Sequence, residues 1–126
     1  MVGIVIVSHS RKLAEGVVDA TKIMAGDCPV AAAGGTEDGG YGTSYAKIRQ
    51  AIQDVYSDNG VLVMVDMGSA VMTAEMVLEE LGDDKVMLVD CPIAEGAIAA
   101  SMASSCGDDL ESVKKQAMAT KTEANW

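Results

Sequence analysis

Four short apolar runs recur along the chain, and the segments between them carry helical periodicity. The runs are VGIVIVS at 2–8, CPVAAAG at 28–34, VLVMVD at 61–66 and KVMLVD at 85–90. Three are rich in β-branched residues and apolar at consecutive positions. A strand with one wet face alternates apolar and polar residues, whereas a strand covered on both faces does not. The alanine-rich second run carries the weakest strand signal. Between the runs, Leu13, Val17, Ala20 and Met24 recur at helical spacing. So do Tyr45, Ile48, Ile52 and Val55, and then Ala70, Ala74, Val77, Leu78 and Leu81. Gly26, Gly60 and Gly82 punctuate the ends of these segments. Pro92 opens the small-residue stretch IAEGAIAASMASS, which reads as a closely packing fourth helix. Asp108 is placed to cap a fifth near 109–119, and the tail KTEANW reads as fraying from about residue 120.

Strands alternating with helices predict an α/β fold with right-handed crossovers. The expected architecture is a three-layer α/β/α sandwich around a four-stranded parallel sheet in the order 2-1-3-4. No linker, repeat or low-complexity run divides residues 1–126, so they read as a single domain. In such sheets the ligand crevice lies beyond the carboxyl ends of strands 1 and 3, where the winding reverses.

That placement makes two residues prominent. Strand 1 runs into His9, the only histidine of the chain, and strand 3 ends at Asp66. A carboxylate accepting from one imidazole N–H fixes the tautomer and leaves the other nitrogen with an open lone pair. Such a nitrogen can act as a base, a metal ligand or a nucleophile toward phosphorus. The neighbours favour phosphorus. Ser10 is a plausible N-cap, which puts His9 at a helix N-terminus where N–H groups and the dipole attract anions. Arg11 and Lys12 put positive charge in the first turn, against the dipole's preference. Gly68 and Ser69 supply further N–H donors at the next helix start. The stretch GGTEDGGYGTS at 34–44 carries five glycines, among them Gly39 and Gly40, and includes Thr43. Glycines let backbone approach an anion closely, although no GK[ST] follows, so this is no Walker A motif. Asp90 ends strand 4 and could join Asp66 at a metal, but one histidine and scattered carboxylates make a poor donor set. The expectation is no metal and no cofactor.

Composition excludes some partners. With 19 Asp+Glu against 9 Lys+Arg the net charge is −10, which disfavours nucleic acid and anionic membrane surfaces. It suits a basic protein partner, and a generic soluble face accounts for it equally well. Phe is absent, so the nine methionines read as core filling beside Val, Ile, Leu and Ala. Cys28, Cys91 and Cys106 are odd in number and form no CxxC; they read as buried thiols in a reducing compartment. The opening MVGIVIV lacks a basic n-region and no stretch is long enough to span a bilayer. A cytoplasmic location is expected.

Four segments, VGIVIVSHSRKLAEG, AAGGTEDGGYGTS, VDMGSAVMTAEM and CPIAEGAIAA, together resemble the phosphotransferase subunits of phosphoenolpyruvate-dependent dihydroxyacetone kinases. These have the fold of the mannose-type enzyme IIA domains of the sugar phosphotransferase system. The resemblance covers roughly residues 1–106. It implies that His9 carries the phosphoryl group, that Asp66 is the strand 3 aspartate, and that Gly34, Gly35, Gly39, Gly40 and Thr43 are the glycine-rich hallmark. It implies a relay in glycerol and dihydroxyacetone metabolism. The small phosphocarrier protein would phosphorylate His9 at Nε2, and His9 would pass the group to ADP held on a nucleotide-binding kinase subunit. Ser10, Gly39, Gly40, Thr43, Gly68 and Ser69 would bind phosphate; Arg11 and Lys12 would meet the partner. Some relatives append further carrier domains, so a chain ending at Trp126 is expected to draw phosphate from separate proteins. A homodimer is expected, although mannose-type relatives exchange a fifth strand and none is legible after residue 106. Two other readings stay open: an enzyme IIA of a mannose-type sugar transporter, and a non-catalytic flavodoxin-like nucleotide module. Few aromatic stackers argue against a flavin.

Overall fold

The computed structural model describes residues 1–121. Most of the tail read as fraying, 122–126, lies outside the described residues. The elements are β1 Gly3–Ser8, α1 Arg11–Met24, β2 Val30–Gly34, α2 Tyr45–Val55, β3 Val61–Val65, α3 Gly68–Leu81, β4 Val86–Val89, α4 Ile93–Ser105 and α5 Leu110–Ala119. The strands form one parallel sheet in the order β2-β1-β3-β4. β1 is central: Val5 pairs with Ala31 on one side and Val63 on the other.

The unbroken apolar character of β1 and β3 has the expected cause. Ile4, Ile6, Leu62 and Met64 point into a core shared with Ala14 and Val17 of α1, Ala97 and Ala100 of α4, and Val113 and Ala117 of α5. Val5, Val7, Val61 and Val63 point the other way, into a core with Ile48 and Ile52 of α2 and Ala70, Ala74 and Val77 of α3. Each strand residue thus buries its side chain against one helix layer or the other. Small residues bring α4 close: a Cβ on Gly96 would collide with Cys91.

Several expectations need correction. The buried face of α1 is Ala14, Val17, Val18 and Thr21, while Leu13 and Met24 are exposed. Methionine is not the core filler: seven of the nine, Met1, Met24, Met67, Met72, Met76, Met102 and Met118, are exposed and only Met64 is fully buried. Apart from Met64 and two cysteines, the buried cores consist of Val, Ile, Leu and Ala, whose short side chains pack closely without a flexible filler. Cys28 and Cys91 are buried but Cys106 is exposed at the end of α4. Burial pushes the Cys91 thiol up to about 11, which leaves it unreactive. The cap of α5 is Asp109, whose side chain accepts from the Ser112 N–H, rather than Asp108. After residue 106 the described residues form α5 and no fifth strand.

Candidate functional site

Three consecutive residues turn the chain from β1 into α1. Ser8 is the last strand residue and is fully buried. Ser10 is extended (φ −115°, ψ 124°) and caps α1, its hydroxyl oxygen accepting from the Leu13 N–H at 3.2 Å. His9 lies between them. On the neighbouring strand, the Asp66 N–H donates to the Val7 carbonyl at 3.2 Å, which brings its side chain level with His9.

Asp66 is gripped through both oxygens. His9 Nδ1 lies 3.1 Å from Oδ1. Oδ2 accepts from the Ser8 hydroxyl at 2.8 Å and from the His9 backbone N–H at 3.2 Å. The Ser8 oxygen in turn accepts from the Ser10 N–H at 3.0 Å. The Asp66 side chain is only 9% exposed and the imidazole 22%. Burial pushes the Asp66 pKa up, but the hydrogen bonds from Ser8 and His9 outweigh it and hold the carboxyl below its ordinary value. It is therefore an anion at neutral pH and accepts the Nδ1 proton. His9 Nε2 faces the hydroxyl of Ser69, in the first turn of α3.

That turn is suited to an anion. Met67, the N-cap, offers no side-chain cap, and the N–H groups of Gly68 and Ser69 meet no acceptor among the described residues. With the helix dipole behind them, they present unsatisfied donors on the Nε2 side of the imidazole. The first N–H groups of α1, on Arg11 and Lys12, are likewise without acceptors among the described residues. The Arg11 and Lys12 side chains are exposed, with Arg11 making only a loose contact of 3.8 Å with Glu15.

The glycine-rich loop does something other than expected. The Gly39 N–H donates to the Thr36 carbonyl, and the Gly40 N–H to the side chains of Thr36 and Asp38. Both amides are occupied inside the turn and are not offered to a phosphate. Gly35 (φ +74°) needs to be glycine, because a Cβ there would lie 2.7 Å from the Gly40 carbonyl. The loop is fastened at two points: the Gly42 N–H donates to the His9 carbonyl at 3.0 Å, and the Thr43 hydroxyl lies 3.1 Å from that of Thr73 in α3. Thr43 is thus a tie between loop and helix in this conformation.

The structure gathers His9, Asp66, Ser10, Gly68 and Ser69 at one end of the sheet and adds Ser8, Gly42 and Thr73, which the sequence does not single out. Ser8 had a signal: a hydroxyl closing an otherwise apolar strand, directly before the histidine. Asp90 lines the same open depression as Asp66 and Gly68 but is exposed and paired with Lys121 at 3.0 Å. Among the described residues no cluster of three His, Cys, Asp or Glu side chains could hold a metal, and no helix is long and apolar enough to cross a membrane.

Residues 3–114 match the EIIA-man family model, described as PTS system fructose IIA component. The chain belongs to the EIIA-man family. The EIIA-man match begins at β1 and ends within α5, so it takes in His9, Asp66 and both helix starts beside them. The chain is 44% identical over 97 residues to the PEP-dependent dihydroxyacetone kinase 1, phosphoryl donor subunit DhaM, of Listeria innocua, covering 77% of each. It is 41% identical over 125 residues to the PEP-dependent dihydroxyacetone kinase, phosphoryl donor subunit DhaM, of Escherichia coli K12. That alignment covers 94% of this chain but 26% of the relative, so the chain spans about a quarter of that longer protein. A crystal structure of a protein of unknown function has the same EIIA-man-like architecture, with a TM-score of 0.82 at 28% identity over 100% of this chain and 99% of that one.

Proposed function

We propose that this chain is a phosphohistidine carrier of a dihydroxyacetone kinase system. In this reading His9 accepts a phosphoryl group from the phosphocarrier protein of the sugar phosphotransferase system. It passes the group to ADP bound on a partner kinase subunit. The observation that carries the reading is the grip of Asp66 on His9 Nδ1, which leaves the Nε2 lone pair facing the open N-terminus of α3. The names of the Listeria and Escherichia relatives, both phosphoryl donor subunits, support the kinase pathway.

The chemistry is a pair of in-line displacements. The Nε2 lone pair attacks the donor's phosphorus; the new N–P bond forms as the donor's N–P bond breaks, and no proton moves. The ring gains positive charge, which Asp66 stabilises through Nδ1–H. In the second step an ADP β-phosphate oxygen attacks, the P–O bond forms, and His9 recovers its lone pair. Phosphoryl transfer depends on positioning and charge stabilisation more than on covalent elaboration. The N–H groups of Gly68 and Ser69 supply donors for the phosphoryl oxygens, and the Ser69 hydroxyl swings from Nε2 to one of them. Ser10 lends its hydroxyl proton from the other side, and Arg11 and Lys12 meet the partner. The described residues act as one phosphocarrier domain, in the cytoplasm and as a homodimer.

Incubation with phosphoenolpyruvate, enzyme I and the phosphocarrier protein tests this directly. Mass mapping is expected to find one acid-labile, base-stable phosphoryl group on His9, lost in His9→Ala. Label on a serine, or label surviving His9→Ala, contradicts it. A transporter enzyme IIA would pass the same group to a IIB domain and not to ADP on a kinase subunit.

A further inference from the structure

We propose that Ser8 is a positioning residue that fixes the tautomer of His9 through Asp66. The inference rests on the phosphocarrier reading for its functional consequence, but its structural half stands apart from it.

The direction of each hydrogen bond is forced. The Ser10 N–H can only donate, so the Ser8 oxygen accepts from it at 3.0 Å. The Ser8 proton is then available to one neighbour, and Asp66 Oδ2 lies 2.8 Å away. The His9 backbone N–H, 3.2 Å from the same Oδ2, can also only donate. Oδ2 thus faces two donors and has no room for a proton of its own. A proton on Asp66 would have to sit on Oδ1, where it would compete with Nδ1–H. The carboxylate stays ionised, Oδ1 accepts from Nδ1–H at 3.1 Å, and the proton of the neutral imidazole stays on Nδ1. Nε2 keeps its lone pair, with the Ser69 hydroxyl as its donor.

Ser8 is completely buried, so no water replaces its hydroxyl without rearrangement. Without it Oδ2 keeps a single protein donor, on a backbone whose turn Ser8 also anchors. The carboxylate is then free to rotate away from Nδ1. The Nε2–H tautomer, which carries a proton on the nucleophile and cannot attack phosphorus, becomes populated. Ser8 touches neither the imidazole nor the phosphoryl group in this scheme, so its effect passes wholly through Asp66.

The chain's single histidine makes the test clean. Long-range ¹H–¹⁵N correlation spectra of the 126-residue chain report the His9 tautomer without assignment ambiguity. Wild type is expected to show Nδ1–H alone. Ser8→Ala is expected to show a mixture, with phosphorylation slowed about ten-fold, the effect of one hydrogen bond to a charged group. Ser8→Thr, which keeps the hydroxyl, is expected to restore both. Amide spectra establish that each variant is folded; if Ser8→Ala does not fold, Ser8→Cys, a far weaker donor, replaces it. A folded Ser8→Ala protein with the wild-type tautomer overturns the proposal, as does a wild type that carries its proton on Nε2. A tautomer shift in Ser8→Ala in a protein that accepts no phosphoryl group would uphold the positioning role and sink the phosphocarrier reading instead.

Discussion

β3 and β4 end alike in sequence, in VLVMVD and KVMLVD, yet their aspartates have opposite fates. The Asp66 side chain is 9% exposed and engages the Ser8 hydroxyl, the His9 N–H and the His9 ring. Asp90 is 91% exposed and meets one lysine. Residue type is the same; the neighbouring strand is not. β3 lies against β1, whose chain leaves to form α1 and β2 on the far side, opening a crevice at that boundary. β4 is the edge strand: Asp90 lines an open depression that it shares with Asp66, Met67 and Gly68, but among the described residues only Lys121 reaches its carboxylate. Strand position decides which carboxylate is drawn into the hydrogen bonds around His9 and which stays a solvated surface charge.

The largest test of that contrast is activity. Asp66→Ala is expected to slow phosphorylation of His9 by about two to four powers of ten, the scale of lost acid–base orientation, while Asp90→Ala leaves the rate near wild type. Rapid-quench measurement of label uptake separates the two, and equal losses would erase the distinction. A smaller effect is expected at the cations flanking His9. Changing Arg11 and Lys12 together to Ala should slow transfer from the phosphocarrier protein roughly ten-fold at low salt and flatten its dependence on ionic strength. An unaltered salt slope would place the docking face elsewhere.

Stability against pH also separates the two carboxylates. The Asp66 pKa is lowered in the folded protein, so its contribution is complete above the ordinary carboxylate value. It is lost as pH falls through the lowered folded value. The gap in urea midpoint between wild type and Asp66→Asn should therefore be widest near neutrality and close as pH falls below about 4. A gap that widens on acidification would have the wrong sign for a carboxylate held as an anion. Smallest of all is the exposed Asp90–Lys121 pair: Lys121→Ala should cost less than about 1 kcal/mol in the same titration.

Much of this arrangement is legible in the sequence because strand ends are. Apolar runs locate β1 and β3, and the winding rule for small parallel sheets then puts His9 beside Asp66 with no further information. Side-chain exposure on helices is less legible. Met72 and Met76 lie in an apolar stretch of α3, but the stripe that packs is Ala70, Ala74 and Val77. Hydrophobicity alone does not choose between adjacent faces when small residues suffice to fill the core. The glycine loop illustrates a second limit. GGTEDGG reads as a row of available amides, and only the fold reveals that Thr36 and Asp38 accept from Gly39 and Gly40. Ser8 shows a third limit: the hydroxyl at the end of β1 is visible in the sequence, but only the fold reveals that it is buried and turned to Asp66.

In the proposed mechanism Asp66 holds Nδ1 and leaves Nε2 to take the phosphoryl group. The most direct measurement is the ¹⁵N spectrum of the phosphorylated protein, recorded at alkaline pH where phosphohistidine survives, with phosphorus–nitrogen coupling resolved on the one imidazole. The geometry predicts coupling to Nε2 with the proton retained on Nδ1. Coupling to Nδ1 would contradict it, because that nitrogen could not carry phosphorus and hold the Asp66 carboxylate at once.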